Sequence, residues 1–160
     1  MKLNTKLLLL PFLFCSVLWF TSINSPAGEH IKTAIFAGGC FWCMESDFEK
    51  IPGIIEVVSG YTGGTSSNPN YNNYGKSGHI EAVRIEYESS VINYRQLLDI
   101  FWVNIDPTDK GGQFCDRGHE YSSAVFYLTD EQLKLAAASK TLIEQSGILS
   151  KPIKTPILEA

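Results

Sequence analysis

Cys40 and Cys43 stand three residues apart in the run Gly38-Gly39-Cys40-Phe41-Trp42-Cys43, with two large aromatics between them. A thiol attacks as its thiolate, and free N–H groups at a helix N-terminus favour that form. The apolar run from Ile31 to Ala37 reads as a buried strand, and Met44, Phe48 and Ile51 recur at helical spacing. Cys40 is therefore expected at a glycine-rich turn from strand to helix, where a substrate can come close to the backbone. A free cysteine is otherwise a small core residue. The second cysteine favours the reactive reading, because positions i and i+3 of a first helical turn reach disulfide distance after modest adjustment. Phe41 and Trp42 suit an apolar cage for a methyl group or thioether, although core packing would also account for one of them.

Four further residues carry polar chemistry. From His79 to Tyr87, Val83, Ile85 and Tyr87 share one face of a strand while Arg84 and Glu86 take the other, and Glu81 falls with the apolar set. A carboxyl group desolvated on such a face holds its proton, as a general acid must. The alternative is a surface carboxylate turned outward at the strand end. Asp116 and Tyr121 lie in the loop Gln113-Phe114-Cys115-Asp116-Arg117-Gly118-His119-Glu120-Tyr121, where Asp116 is either a turn residue or a site residue. The hydroxyls of Tyr71 and Tyr121 can hold a polar substrate oxygen, or simply pack. His30, His79 and His119 complete no usual ligand spacing with the cysteine pair, so no metal site is expected.

The elements that must position these groups follow from periodicity. Gly53–Tyr61 reads as a strand, and Gly60–Gly78 as a long loop carrying Tyr61, Tyr71 and Tyr74. Loops of this length in a small domain are often functional. Asn93–Asn104 is a helix, with Asn93 as cap, Gln96 as its capping-box partner and an apolar stripe through Leu97, Leu98 and Phe101. A polar loop spans Asp106–Tyr121, and Ser122–Leu128 is a strand. Thr129 opens a last helix, with Gln132 at the partner position, that ends near Gly147. Ile153, Thr155 and Ile157 alternate in a short strand that Pro152 and Pro156 confine to an edge. The order is β-α-β-β-α-β-α-β. Its first six elements are those of an α+β, ferredoxin-like two-layer sandwich, with a mostly antiparallel sheet, helices on one face and the nucleophile at the N-terminus of the first helix.

The chain has 160 residues and a formal net charge of −4, which suits one domain and argues against nucleic acid as a partner. Lys2 and Lys6 precede an apolar stretch from Leu7 to Phe20, followed by Ser25-Pro26-Ala27. This is the pattern of a secretory signal over residues 1–27, or of an uncleaved anchor, with a single domain over 28–160. The stretch is short for a spanning helix, which needs roughly 20 apolar residues. The protein is expected outside the cytoplasm, periplasmic or envelope-associated. Without the leader, Cys40, Cys43 and Cys115 remain, an odd number that fits a redox enzyme better than a disulfide framework.

Gly39–Cys43, Gly60–Gly64, Asn68–Tyr71, Gly78–Val83, the Phe101-Trp102…Asp106-Pro107-Thr108 run and Gln113–Gly118 occur in an order that resembles the type A peptide-methionine sulfoxide reductases, from about Ile31 to the end. The resemblance implies reduction of methionine S-sulfoxide, free or in oxidised proteins, through a sulfenic acid and an intramolecular disulfide. It implies Cys40 as nucleophile, Glu81 as proton donor, Tyr71 and Tyr121 on the sulfoxide oxygen, and Asp116 orienting the substrate. Phe41 and Trp42 would form the methyl pocket, and Cys43 or Cys115 would resolve the sulfenic acid. It also implies no bound cofactor, a thioredoxin-like protein or thiol as reductant, and a monomer. Family members usually continue past the Thr155–Ala160 end, so a C-terminal truncation is expected. Two other readings compete on the residues alone: a general thiol–disulfide oxidoreductase built on the cysteine pair, and an inactive binder of oxidised methionine.

Overall fold

The computed structural model describes residues 30–160; the leader read over residues 1–27 lies outside the described residues. Among the described residues, seven strands and three α-helices follow in the order β1 (Ile31–Gly38), α1 (Phe41–Phe48), β2 (Ile54–Thr62), β3 (Ile80–Glu88), α2 (Tyr94–Val103), β4 (Gly112–Gln113), β5 (Asp116–Arg117), β6 (Ser123–Tyr127), α3 (Asp130–Ser146) and β7 (Ile157–Glu159). The five-stranded sheet runs β2-β3-β1-β6-β7, and β4 pairs with β5 in a separate hairpin. The pairs β2–β3, β3–β1 and β1–β6 are antiparallel, and β6–β7 is parallel. The result is an α+β fold with a mixed sheet and three helices.

Register and alternation decide which side chains meet. Pairing Phe36 with Val83 and Ala34 with Ile85 sets one apolar row across β1 and β3. Against that row pack Met44 and Phe48 of α1, Leu97, Leu98 and Phe101 of α2, and Ala136 of α3, in a single cluster. Phe36 stacks on Phe101 with ring centroids 4.9 Å apart. Trp102 Nε1 donates to Ser139 Oγ at 2.9 Å, joining α2 to α3. The other side of the sheet carries a smaller cluster of Ala37, Ile80, Ala82, Ala124 and Phe126. All three helices thus contribute to the core on one face.

The helix starts follow the sequence. Asn93 accepts from the Gln96 N–H and the Gln96 side chain accepts from the Asn93 N–H, a complete capping box. Thr129 accepts from the Gln132 N–H at 3.2 Å, but the Gln132 side chain serves other partners. It accepts from Leu128 N–H at 2.8 Å and donates to the Thr33 carbonyl, tying α3 to β1. The last strand differs from expectation. Ile153–Thr155 is not part of the sheet; Lys154 N–H and Thr155 N–H donate instead to the Pro107 carbonyl, at 2.7 and 3.3 Å. Pro152 and Pro156 have no N–H to offer a ladder, so pairing with β6 begins only at Ile157.

Candidate active site

Cys40 is the N-cap of α1, with φ −58° and ψ 117°, and its carbonyl accepts from Cys43 N–H at 3.1 Å and Met44 N–H at 3.2 Å. Of the two preceding glycines, Gly39 is sterically required. Gly39 has φ +88°, and a Cβ there would lie 2.7 Å from Gln113 Cβ; a Cβ on Gly38 would lie 2.6 Å from Met44 Sδ. Gln113 is 1% exposed, and its amide accepts from Asp106 N–H at 2.7 Å and donates to the Asp106 carbonyl at 3.0 Å. This closes the Asp106–Gln113 loop on itself and presses it against the turn at Gly39 and Cys40. Arg117 pairs with Asp109 across the same loop, and that bond holds the Asp109 carboxyl down to about 2.

Glu81 reaches this turn from β3. It is 2% exposed, on the helix-covered face that its alternation indicated. Its Oε2 accepts from Phe41 N–H at 2.9 Å, and its Oε1 accepts from Tyr74 Oη–H at 2.7 Å. The first turn of α1 has no acidic residue of its own, and the Glu81 carboxyl from β3 takes the place of one against its first N–H. Burial, followed by the bond to Glu81, drives the Tyr74 hydroxyl far above the usual phenol range, so Tyr74 acts as a donor. Tyr121 neighbours it. The Tyr74 contact lowers the Tyr121 pKa, but burial and the Glu81 charge outweigh it and the net direction is upward.

Aromatic rings wall the site. Phe41 packs on Trp42 at 5.2 Å and on Tyr61 at 5.6 Å, and Tyr61 stacks on Tyr74 at 4.4 Å. Trp42 stacks on Tyr71 at 6.1 Å with 14° between planes. Tyr71 is 58% exposed, so the structure sets it on the outer wall, while Tyr74 holds the position against Glu81. Reasoning from sequence overlooked Tyr74, Tyr61 and Gln113. Tyr74 stood in view as a loop aromatic, but two tyrosines three apart in an aperiodic loop do not reveal which one turns inward.

On the other side of Cys40 lies a cavity of about 300 Å³, lined by Cys43, Met44, Val103, Phe114 and Asp116 among others. Cys43 is exposed, and its thiol is raised above the ordinary value, first by its hydrogen bond with Cys40 and then by burial. Both thiols lie along the same cavity. Cys115 is also exposed and free, beside Asp116 at the tip of the β4–β5 hairpin. A buried Glu–Tyr pair at the cysteine's helix end has no use in plain dithiol exchange. It suits the protonation of an oxygen leaving an electrophile that Cys40 attacks.

A family model described as peptide methionine sulfoxide reductase matches residues 32–160. Peptide methionine sulfoxide reductase MsrA of Bacillus velezensis is 52% identical over 134 residues, covering 82% of this chain and 76% of that protein. The protein of the same name from Bacillus subtilis is also 52% identical, with the same coverage. Among solved structures, reduced Mxr1 from Saccharomyces cerevisiae superposes with a TM-score of 0.74 at 28% identity, over 84% of this chain and 78% of that one. Mxr1 in complex with Trx2 gives a TM-score of 0.54 at 25% identity, over 82% and 81% of the two chains. The chain belongs to the peptide methionine sulfoxide reductases of type A, the enzymes that reduce methionine S-sulfoxide to methionine.

Proposed function

We propose that Cys40 attacks the sulfoxide sulfur while Glu81 supplies the proton that lets the oxygen depart from it. Attack forms a bond from the Cys40 sulfur to the sulfoxide sulfur, whose oxygen leaves as water with one proton from Glu81 and one from solvent; water then adds to the Cys40 sulfur, breaking the S–S bond, releasing methionine reduced by two electrons and leaving a sulfenic acid. The Tyr74 and Tyr121 hydroxyls hold the oxygen, with Tyr71 outside them closing the wall over Trp42. Phe41 and Trp42 enclose the methyl group, and Asp116 orients the rest of the substrate. The observation that carries this reading is Glu81, buried, bonded to the first N–H of the helix that Cys40 caps and to a tyrosine that stays protonated.

Cys43 then attacks the Cys40 sulfenic acid, expelling water and leaving a Cys40–Cys43 disulfide. The position of Cys43 in the first turn of the helix that Cys40 caps, and the cavity both residues line, support this order. Cys115 stands exposed to accept that disulfide by exchange. A thioredoxin-like dithiol completes the cycle, as the Mxr1–Trx2 complex suggests by analogy. The strand order β2-β3-β1-β6 with α1 and α2 supports a ferredoxin-like core, to which α3 and β7 are additions. The Lys2, Lys6 and Leu7–Phe20 pattern supports export, which mass measurement of the protein from envelope fractions would test.

Glu81→Gln tests the proton donor. It should slow single-turnover methionine formation by about 10²-fold or more, with the deficit shrinking at low pH as solvent protonates the oxygen. Unchanged single-turnover rates would remove Glu81 from the mechanism.

A further inference from the structure

Cys40 lies between two recesses of different character. One holds Phe41, Trp42, Tyr74 and Glu81, read above as the seat of the sulfoxide. The other is the cavity of about 300 Å³ bounded by Cys40, Asp47, Val103, Phe114 and Asp116. Of its lining, Cys40, Cys43 and Asp116 serve the chemistry proposed above; Asp47, Val103 and Phe114 have no part in it. Its outer walls are two large apolar side chains left in water, Val103 at the end of α2 and Phe114 at the hairpin tip, 81% and 68% exposed. Phe114 is also the one non-glycine residue with positive φ among the described residues, at +49°. The two-residue turn between β4 and β5 calls for that conformation, which costs an ordinary side chain about 1–2 kcal/mol. No lysine, arginine or histidine lines the recess. Among the described residues Asp116 makes no ion pair, and Asp47 has only the exposed Lys50 at 3.5 Å.

We propose that this recess receives the side chain next to the oxidised methionine in a polypeptide substrate, and that it selects lysine or arginine there. The proposal rests on the sulfoxide seat described above. A long basic side chain matches both properties of the walls. Its methylene stem lies along Val103 and Phe114, and its cation meets the Phe114 ring face and the Asp47 and Asp116 carboxylates. An acidic neighbour would bring like charge to the same two carboxylates. The recess adjoins the nucleophile directly, so the occupant is part of the same chain as the sulfoxide.

Acetylated tripeptides with methionine S-sulfoxide between two lysines, two alanines or two glutamates test this, with free methionine S-sulfoxide as reference. The lysine peptide should exceed the glutamate peptide in kcat/KM by about tenfold, with the difference in KM. Phe114→Asn changes no charge and keeps a residue that tolerates left-handed backbone; Asp47→Asn removes one carboxylate. Each substitution should cut the lysine-to-glutamate ratio to about threefold or less. Equal kcat/KM for the three peptides would overturn the proposal. So would a ratio that survives Phe114→Asn, because the preference would then come from the net charge of −4 and not from the recess. Failure to reduce free methionine S-sulfoxide would instead overturn the chemistry assigned to Cys40 and Glu81, and the flanking subsite with it.

Discussion

Two thiols one helical turn apart divide their labour by where the proton rests. The Cys43 thiol is raised, first by the neighbouring Cys40 thiol and then by burial, so at any given pH it has less thiolate than an unperturbed cysteine. Cys40→Ala removes the largest cause of that rise. The pH profile for alkylation of Cys43 by iodoacetamide, followed by peptide mapping, should therefore move to lower pH in the variant. A profile that stays in place would deny the thiol contact. Tyr74 is the second residue whose bond defines the site. Tyr74→Phe leaves Glu81 Oε1 buried without its donor, which should cost about 1–3 kcal/mol of stability in urea unfolding. It should also lower kcat, whereas Tyr71→Phe leaves the Trp42 stack in place and should do neither to the same degree. Cys40 and Glu81 were legible in the sequence because a local rule pointed to each. A glycine pair before a helix marked one, and a carboxylate out of step with strand alternation marked the other. Tyr74 obeyed no such rule, since only the folded loop turns it against Glu81.

At the scale of elements, the turn between β1 and α1 is set from outside itself. Gly39 must keep φ +88° with Gln113 packed where a side chain would begin. Gly39→Ala should destabilise the fold by about 2 kcal/mol, through left-handed strain and the contact with Gln113. Turnover should fall by about 10²-fold or more, since a displacement of about 1 Å at a reacting group costs that much. Thermal unfolding and single-turnover kinetics on one preparation would show both effects; a stable variant with normal turnover would mean that the turn is indifferent to Gln113. Strands β1, β2, β3 and β6 and all three helices could be read from alternation, caps and the apolar stripe. The β4–β5 hairpin could not, because two-residue strands have no period and Phe114 stands where a turn glycine would have signalled it. β7 was placed too early for a related reason. The alternation of Ile153, Thr155 and Ile157 is real, but the buried Thr155 serves the Pro107 carbonyl and Ser123 Oγ and joins no ladder.

For the molecule as a whole, one helix-covered core lies behind the site, and the segment ahead of β7 is held to Pro107, at the start of the loop that Gln113 closes. The described residues also carry three free cysteines, Cys40, Cys43 and Cys115. The parity of that number has a use at the bench. One turnover without reductant joins two sulfhydryls and releases one methionine, so titration of the denatured protein with a chromogenic disulfide should fall from three equivalents to one, whichever partner Cys40 takes. Retention of the leader would add Cys15, and the titre would run from four to two. An odd titre before and after the reaction reports a processed chain, an even one an intact chain, and a drop of two against one methionine released fixes the electron stoichiometry in the same tube.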